Sequence, residues 1–470
     1  MPAFDLARPR RAHLVGIGGA GMRAYASVLV SMGHTVTGSD LRDSAGLDRL
    51  RGLGVTVMIG HDPANVGPAE AVATSTAIPA SNVEIVEAHR RGIPVLRRAE
   101  LLAAICGTRR TVAVSGTHGK TTTTSMLALI LRQDGMRPSF IVGGDVNELG
   151  TGAAWDHGDW LVVEADESDG IFLEVGVEVV VVTNVEADHL DHYGSLEGLT
   201  AAFASFVDGA AGTRVLNADD PIAATIAARY GATTFGVGET ADYQLVGVEL
   251  ARSRARFSIA HEGHAIGPIE LPLPGMYNAM NAIAAVAAGI ELGASAASAV
   301  DALARFGGVA RRFQFRGEWN GVSFVDDYAH LPGEVASVLA AAAGGGWARV
   351  VAVFQPHRYS RTVALWQDFG ASFGGAGLVV VTDVYASDEA PRPGVTGQLI
   401  AQAIAGADPD QAVVYQPSRP SLVDFLRHEL RPGDLCLTLG AGDITLLADE
   451  VRAPDGSSLG RAGGSPAEGA

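Results

Sequence analysis

Apolar residues along this chain gather in short runs of strand length, each followed by a stretch with helical spacing. Residues 12–21, Ala-His-Leu-Val-Gly-Ile-Gly-Gly-Ala-Gly, predict a strand entering a glycine turn, with a helix from about Met22 to Met32. Further runs follow at 34–38, 55–59, 71–74 and 93–96, with helical stretches between them such as Ser81–Arg91. This alternation predicts a parallel sheet with crossover helices. Near 105–111 the pattern restarts, and a strand over Thr111–Ser115 feeds a second glycine loop and a helix over 121–133. Trp160–Val163 and Val177–Thr183 are nearly unbroken apolar runs, which suit strands buried on both faces of a sheet. Pro272–Gly275 precedes an alanine-rich helix over about 278–291, and another break falls at Gly307–Gly308. Beyond it, strands are expected around 322–326, 349–354, 378–382 and 435–439. The fold class is α/β.

At roughly 100–200 residues per domain, the 470 residues suggest about three. The breaks place them at 1–106, 107–308 and 309–452, with the Gly/Ser/Pro-rich stretch 453–470 expected to be a disordered tail. A net charge of −18 opposes a nucleic-acid partner, because a polyanion is held by a basic face. Anionic substrates would have to meet local positive potential from backbone N–H groups, helix N-termini, a few arginines and bound metal. Two cysteines, Cys106 and Cys436, argue against a disulfide framework. With no apolar run long enough to cross a bilayer and no long signal core, a soluble, cytoplasmic protein without membrane insertion is expected.

Of the 34 lysines and arginines only Lys120 is a lysine, and it stands in Gly116-Thr117-His118-Gly119-Lys120-Thr121. An arginine fork is planar and bidentate, whereas a lysine ammonium is a compact point charge. A glycine-lined loop around a triphosphate needs the second kind, lying between oxygens already ringed by backbone N–H groups. The loop is shorter than the strict eight-residue pattern, which would want glycine where Val114 stands. Thr121 follows the lysine, where its hydroxyl can reach a magnesium ion on the phosphates.

The earlier motif, Gly16-x-Gly18-x-x-Gly21 with Asp40 some way downstream, has the pattern of a dinucleotide fingerprint. Physically it asks only for a diphosphate near a helix N-terminus, so NAD and a sugar nucleotide both satisfy it. The acidic stretch 164–169 is expected to be mostly a solvated turn, except Glu164 at the mouth of a buried strand. Glu164 and His189, each near the carboxyl end of an apolar strand, are candidate metal ligands.

Gly-Ile-Gly-Gly-Ala-Gly-Met at 16–22, Gly-Thr-His-Gly-Lys-Thr-Thr-Thr at 116–123 and Asp-Glu-Ser-Asp at 166–169 resemble the Mur ligases of bacterial cell-wall synthesis. So do Thr-Asn-Val-Glu-Ala-Asp-His at 183–189, Tyr277-Asn278-x-x-Asn281-Ala282, Arg311-Arg312-Phe313-Gln314 and Asp326-Asp327-Tyr328-Ala329-His330. Phe354–Thr362, Asp383–Ser387 and Gly440–Asp443 complete a set that runs in family order over nearly the whole chain.

The resemblance implies an N-terminal Rossmann-like domain for a UDP-sugar, a central ATP-binding domain on a P-loop ATPase-type parallel sheet, and a C-terminal Rossmann-like domain. Gly16, Gly18, Gly19, Ala20, Gly21 and Met22 would hold the UDP pyrophosphate, with Asp40, Ser75, Ala77 and Ile78 near the uridine. Gly116, Thr117, His118, Gly119, Lys120, Thr121 and Thr122 would bind the ATP phosphates, and Asn278 and Asn281 the adenine side. Magnesium would rest on Thr121, Glu164 and His189, while Arg312 and Asp327 would reach the nucleotide. Tyr328, His330, Arg358 and Arg361 would hold the incoming amino acid, whose carboxylate suits a guanidinium fork. Lys120, Arg312, Asp327 and His330 are the implied catalytic residues. The implied reaction joins L-alanine to UDP-N-acetylmuramate with ATP through an acyl phosphate, in a monomer or homodimer.

One position departs from the family pattern: Leu331 follows His330 where a second histidine is usual, and leucine makes no side-chain hydrogen bond. The second histidine is either dispensable or the amino-acid pocket is altered. With Lys120 the sole lysine, a carbamylated lysine at a second metal, found in some relatives, is excluded. The rivals are a recycling ligase that takes a whole peptide, an NAD-dependent oxidoreductase that leaves Lys120, Glu164 and His189 unexplained, and an ATP-binding scaffold without chemistry.

Overall fold

The computed structural model describes residues 4–453 apart from Thr76, Asp169, Arg252 and Asp388, with the backbone alone of Asp191. All but Ala453 of the expected tail lies outside the described residues. The chain divides into two compact units between Ala310 and Arg311.

The first unit holds two sheets. In one, β1 (Arg11–Val15), β2 (Thr35–Asp40), β3 (Thr56–Ile59), β4 (Ala71–Thr74) and β5 (Val95–Arg97) pair in parallel in the order β3-β2-β1-β4-β5. The chain leaves β1 toward one side and returns on the other, so the carboxyl end of β1 is a topological switch point. Gly16 follows there, and the helix Ala20–Ser31 starts from Gly19.

The second sheet contains β6 (Arg110–Ser115), β7 (Ser139–Val146), β8 (Thr151–Ala154), β9 (Trp160–Glu164), β10 (Val179–Val182), β11 (Arg214–Asn217), β12 (Thr233–Gly236), β13 (Tyr243–Ala251), β14 (Arg254–His261) and β15 (His264–Leu271). Their order is β15-β14-β13-β12-β11-β10-β6-β9-β7-β8. The expected parallel sheet is its centre, and β8, β14 and β15 extend it antiparallel. The apolar runs did not predict these additions. Strands with one wet face alternate rather than run solid, and β14 alternates exposed and buried residues along its first half while β10 is buried throughout.

The helices Lys120–Gln133 and Met276–Glu291 cover one face of this sheet within one buried cluster. The alanine-rich composition explains the close fit: Ala282, Ala284, Ala285 and Ala287 are fully buried. Another cluster runs from Leu14 and Leu29 beside the first sheet to Phe172 and Phe203 beside the second. The sequence break near residue 106 is thus crossed by a shared core.

In the second unit β16 (Gln314–Trp319), β17 (Val322–Asp327), β18 (Arg349–Phe354), β19 (Leu378–Val381), β20 (Val413–Tyr415) and β21 (Asp434–Leu439) pair in the order β16-β17-β21-β18-β19-β20. Only β16 is antiparallel among the described pairs. Cys106 and Cys436 are buried free thiols, pushed up to about 12 by burial.

Candidate active site

The lysine loop follows β6, and its glycines are there for space. Gly116 has φ 137° and Gly119 φ 81°, both left of what an L side chain adopts freely. A Cβ on Gly116 would strike the Thr183 hydroxyl, and one on Gly119 would strike Asn281 Oδ1. The segment after β10 clamps the loop: Asn184 Oδ1 accepts from His118 N at 2.8 Å, Thr117 N donates to Asn184 O at 3.1 Å, and Glu186 N donates to Thr117 Oγ1 at 2.8 Å. The His118 ring faces Glu186 at 3.5 Å.

Lys120 opens the helix Lys120–Gln133, and its ammonium donates to Gly116 O at 2.8 Å, Thr117 O at 3.2 Å and Glu167 Oε1 at 2.8 Å. Burial opposes its charge, but Glu167, Asp166 and Glu164 hold it protonated above the usual lysine range. Next to it, Thr121 Oγ1 donates to Glu164 Oε1 at 2.9 Å, and Gly143 N donates to Glu164 Oε2 at 2.7 Å. Thr122 is buried in the same helix turn.

The first glycine loop hangs from β2. Gly16 N and Ile17 N both donate to Ser39 O, at 2.9 and 3.0 Å, and Gly18 N donates to Asp40 Oδ2 at 2.8 Å. A Cβ on Gly16 would sit 3.0 Å from Ile78 Cγ1 and 3.2 Å from Ser75 Cβ, so these residues line the loop as expected. Ala77 is exposed beside them and Met22 is buried in the core. Gly21 lies against the Arg98 guanidinium, whose charge also lowers the Asp166 carboxyl after Lys120 has done so against burial.

In the second unit, Arg311 and Arg312 lie 4.9 and 5.7 Å over the Tyr328 ring. Tyr328 meets His330 edge-on at 5.3 Å, and His330 meets His357 at 6.0 Å. Arg361 Nη1 lies 3.3 Å from His357 Nδ1, and Arg358, at φ 70°, donates its backbone N–H to Tyr385 O at 2.8 Å. Burial pushes the His330 imidazole down, and burial with the nearby His330 and arginines pushes His357 down to about 4. Both rings are therefore neutral near pH 7, which leaves the guanidinium charges for an anion.

Residues 11–110 match the family model described as Mur ligase family, catalytic domain; residues 114–289 match the Mur ligase middle domain, and 311–442 the Mur ligase glutamate ligase domain. The chain belongs to the Mur ligase family. It is 43% identical over 442 residues to the UDP-N-acetylmuramate–L-alanine ligase of Pelotomaculum thermopropionicum, covering 93% of this chain and 96% of that protein. It is 45% identical to the ligase of the same name from Rubrobacter xylanophilus, covering 94% and 99%. The crystal structure of UDP-N-acetylmuramate-alanine ligase from Thermotoga maritima matches with a TM-score of 0.79 at 29% identity, covering 94% of this chain and 98% of that one. A murein peptide ligase from Psychrobacter arcticus shares the fold, with a TM-score of 0.69 at 22% identity.

The structure gives several of the expected site residues partners within the protein. Asn281 packs on Gly119 of the phosphate loop, and Asn278 Nδ2 donates to Pro274 O at 2.8 Å. Asp327 oxygens accept from Phe313 N at 2.7 Å and Ala329 N at 2.8 Å, fixing the turns that carry Arg312 and Tyr328. Asp40 is engaged by the glycine loop itself. His189 is not joined to Thr121 or Glu164; its described partner is Asp188 at 3.5 Å. Among the described residues no group of three or more His, Cys, Asp or Glu is arranged to hold a metal. Glu167, expected in a solvated turn, is 1% exposed. Arg98 beside Gly21, and His357 and Glu334 beside His330, were also missed, because their roles depend on contacts between separate segments.

Proposed function

We propose that this Mur ligase joins L-alanine to the lactyl carboxylate of UDP-N-acetylmuramate, driven by ATP, in making the peptidoglycan precursor. The observation that carries the assignment is Lys120, the sole lysine, seated in a glycine loop within a chain similar over nearly its full length to ligases of that name. The γ-phosphoryl group passes to the lactyl carboxylate, the amine attacks the acyl phosphate, and phosphate leaves. Lys120 supplies fixed positive charge to the transferring group, which needs positioning and neutralisation more than covalent help, and Arg312 is assigned to the nucleotide by its family motif. The Gly16–Gly21 loop and helix Ala20–Ser31 receive the UDP diphosphate with backbone donors. Arg358 and Arg361 take the amino-acid carboxylate, and Tyr328 and His330 shape its pocket.

Magnesium fits the oxygen pair Thr121 and Glu164, hard donors already in contact beside the phosphate loop. Bound there it would neutralise phosphate charge. No helix among the described residues is long and apolar enough to cross a membrane, and we assign the enzyme to the cytoplasm, where its nucleotide substrates are found. Phosphate release with UDP-N-acetylmuramate and ATP, measured against alanine, glycine and serine, tests the function. Release that depends on both the sugar nucleotide and alanine is expected; release indifferent to either overturns it.

A further inference from the structure

The route above leaves one proton without a destination. An amino acid arrives as an ammonium, and it attacks only as the free amine, so a base must stand near the acyl phosphate. Glu167 has the attributes of that base. It follows β9 at the edge of the phosphate loop and is 1% exposed. Its backbone is fixed: Gly170 N donates to Glu167 O at 3.1 Å, and the Tyr193 hydroxyl donates to the same oxygen. Oε1 accepts from Lys120 at 2.8 Å, while nothing among the described residues donates to Oε2, although it is buried.

A buried carboxylate oxygen with no donor is costly, of the order of 1–3 kcal/mol. Such an atom is retained where a ligand supplies the missing donor. ATP's phosphates and the lactyl carboxylate carry only acceptors at this end of the site. The amine of the second substrate is the donor whose chemistry fits. We propose that Glu167 is the general base that takes the proton from the incoming ammonium.

The charged and titratable groups facing it are Lys120 from the helix after the loop, Asp166 from its own segment and the Tyr193 hydroxyl from the helix Leu190–Tyr193. Burial raises the Glu167 carboxyl, Lys120 lowers it and Asp166 raises it again, leaving it at about 7. A base poised there is ionised enough to act and strong enough to accept. In the step, the ammonium N–H bond breaks and its proton bonds to Oε2. The freed amine forms the C–N bond, the bond between the acyl carbon and the bridging phosphate oxygen breaks, and the second amine proton leaves with the departing phosphate. Glu167 returns its proton to solvent before the next turnover.

Glu167→Gln keeps the shape and the acceptor for Lys120 but cannot take a proton. ATP with UDP-N-acetylmuramate should still give an acyl phosphate, trapped by borohydride reduction, within about three-fold of wild type, whereas amide formation with alanine falls at least about 100-fold. Hydroxylamine, unprotonated at neutral pH, needs no base, so hydroxamate formation should be equal in both proteins. The limb of the wild-type kcat profile that rises with pH through about 7 should vanish in the variant. Equal losses in acyl phosphate, hydroxamate and amide would place Glu167 behind Lys120 as a positioning residue and overturn the proposal, as would unchanged ligation. Because the assignment rests on the acyl-phosphate route, failure of that route shows in the wild type, which would form neither trapped product; failure of Glu167 shows only in the variant.

Discussion

Thr121 donates its hydroxyl to Glu164 Oε1 at 2.9 Å, across 43 residues of sequence, and so joins the phosphate loop to the end of the neighbouring strand. The other Glu164 oxygen is held by Gly143 N. If this pair receives magnesium, Glu164→Gln should raise the magnesium concentration for half-maximal phosphate release by at least about 10-fold, the scale reached even by outer-shell partners. A magnesium titration that superimposes on wild type would remove Glu164 from the metal site.

Lys120→Arg keeps the charge and loses the compact head. The Lys120 Nζ has three acceptors at 2.8, 3.2 and 2.8 Å around it, a cradle too close for a planar fork. Turnover should fall at least about 100-fold, roughly 2.7 kcal/mol of transition-state stabilisation, in steady-state phosphate release.

Leu331 is the residue that departs from the family pattern, and it stands in a turn held by backbone donors. The backbone N–H groups of His330 and Leu331 donate to Glu334 at 2.9 and 3.1 Å, so the turn is held without any side chain at 331. Leu331→His should leave the KM for alanine within about two-fold, about 0.4 kcal/mol. Arg361→Ala should raise it by about 10-fold or more, since a charge-assisted contact to the carboxylate is lost. In both variants the KM for ATP is the control.

Glu84 is fully buried beneath the first glycine loop, where it accepts from Ser39 Oγ at 2.5 Å, Asn65 Nδ2 at 2.6 Å and Asp62 N at 3.2 Å. Burial works to raise its carboxyl, but His13, Ser39 and Asn65 together hold it down to about 2 from 4.5. Its folded value is depressed, so its stabilisation is complete above pH 4.5 and is lost as pH falls toward 2. Glu84→Gln should therefore melt below wild type at neutral pH, and the two melting curves should converge over that acid range. A constant gap across the range would show that ionisation of Glu84 contributes nothing.

How much was legible in the chain varies by element. Solid valine runs such as Val179–Val182 reveal themselves because a strand buried on both faces has no polar side to interrupt it. β14 and β15 escaped because half of their residues face water. Gly116 and Gly119 were readable as a phosphate loop, but why they must be glycine was not: the obstructing atoms belong to Thr183 and Asn281, far along the chain.

The acidic stretch after β9 marks the limit. By itself the sequence determined that a single lysine stands in a glycine loop, that acidic residues follow nearby strands, and that the motif order is that of a ligase. It singled out Glu164 at the end of its strand but left Glu167 to a solvated turn, because residue type alone does not report burial. Only the tertiary structure decided that Glu164 turns to Thr121 while Glu167 turns to Lys120 and leaves one oxygen unpaired. The reason is physical: residue type fixes what a group can do, whereas burial and its partners, assembled from distant segments, fix its charge and its use.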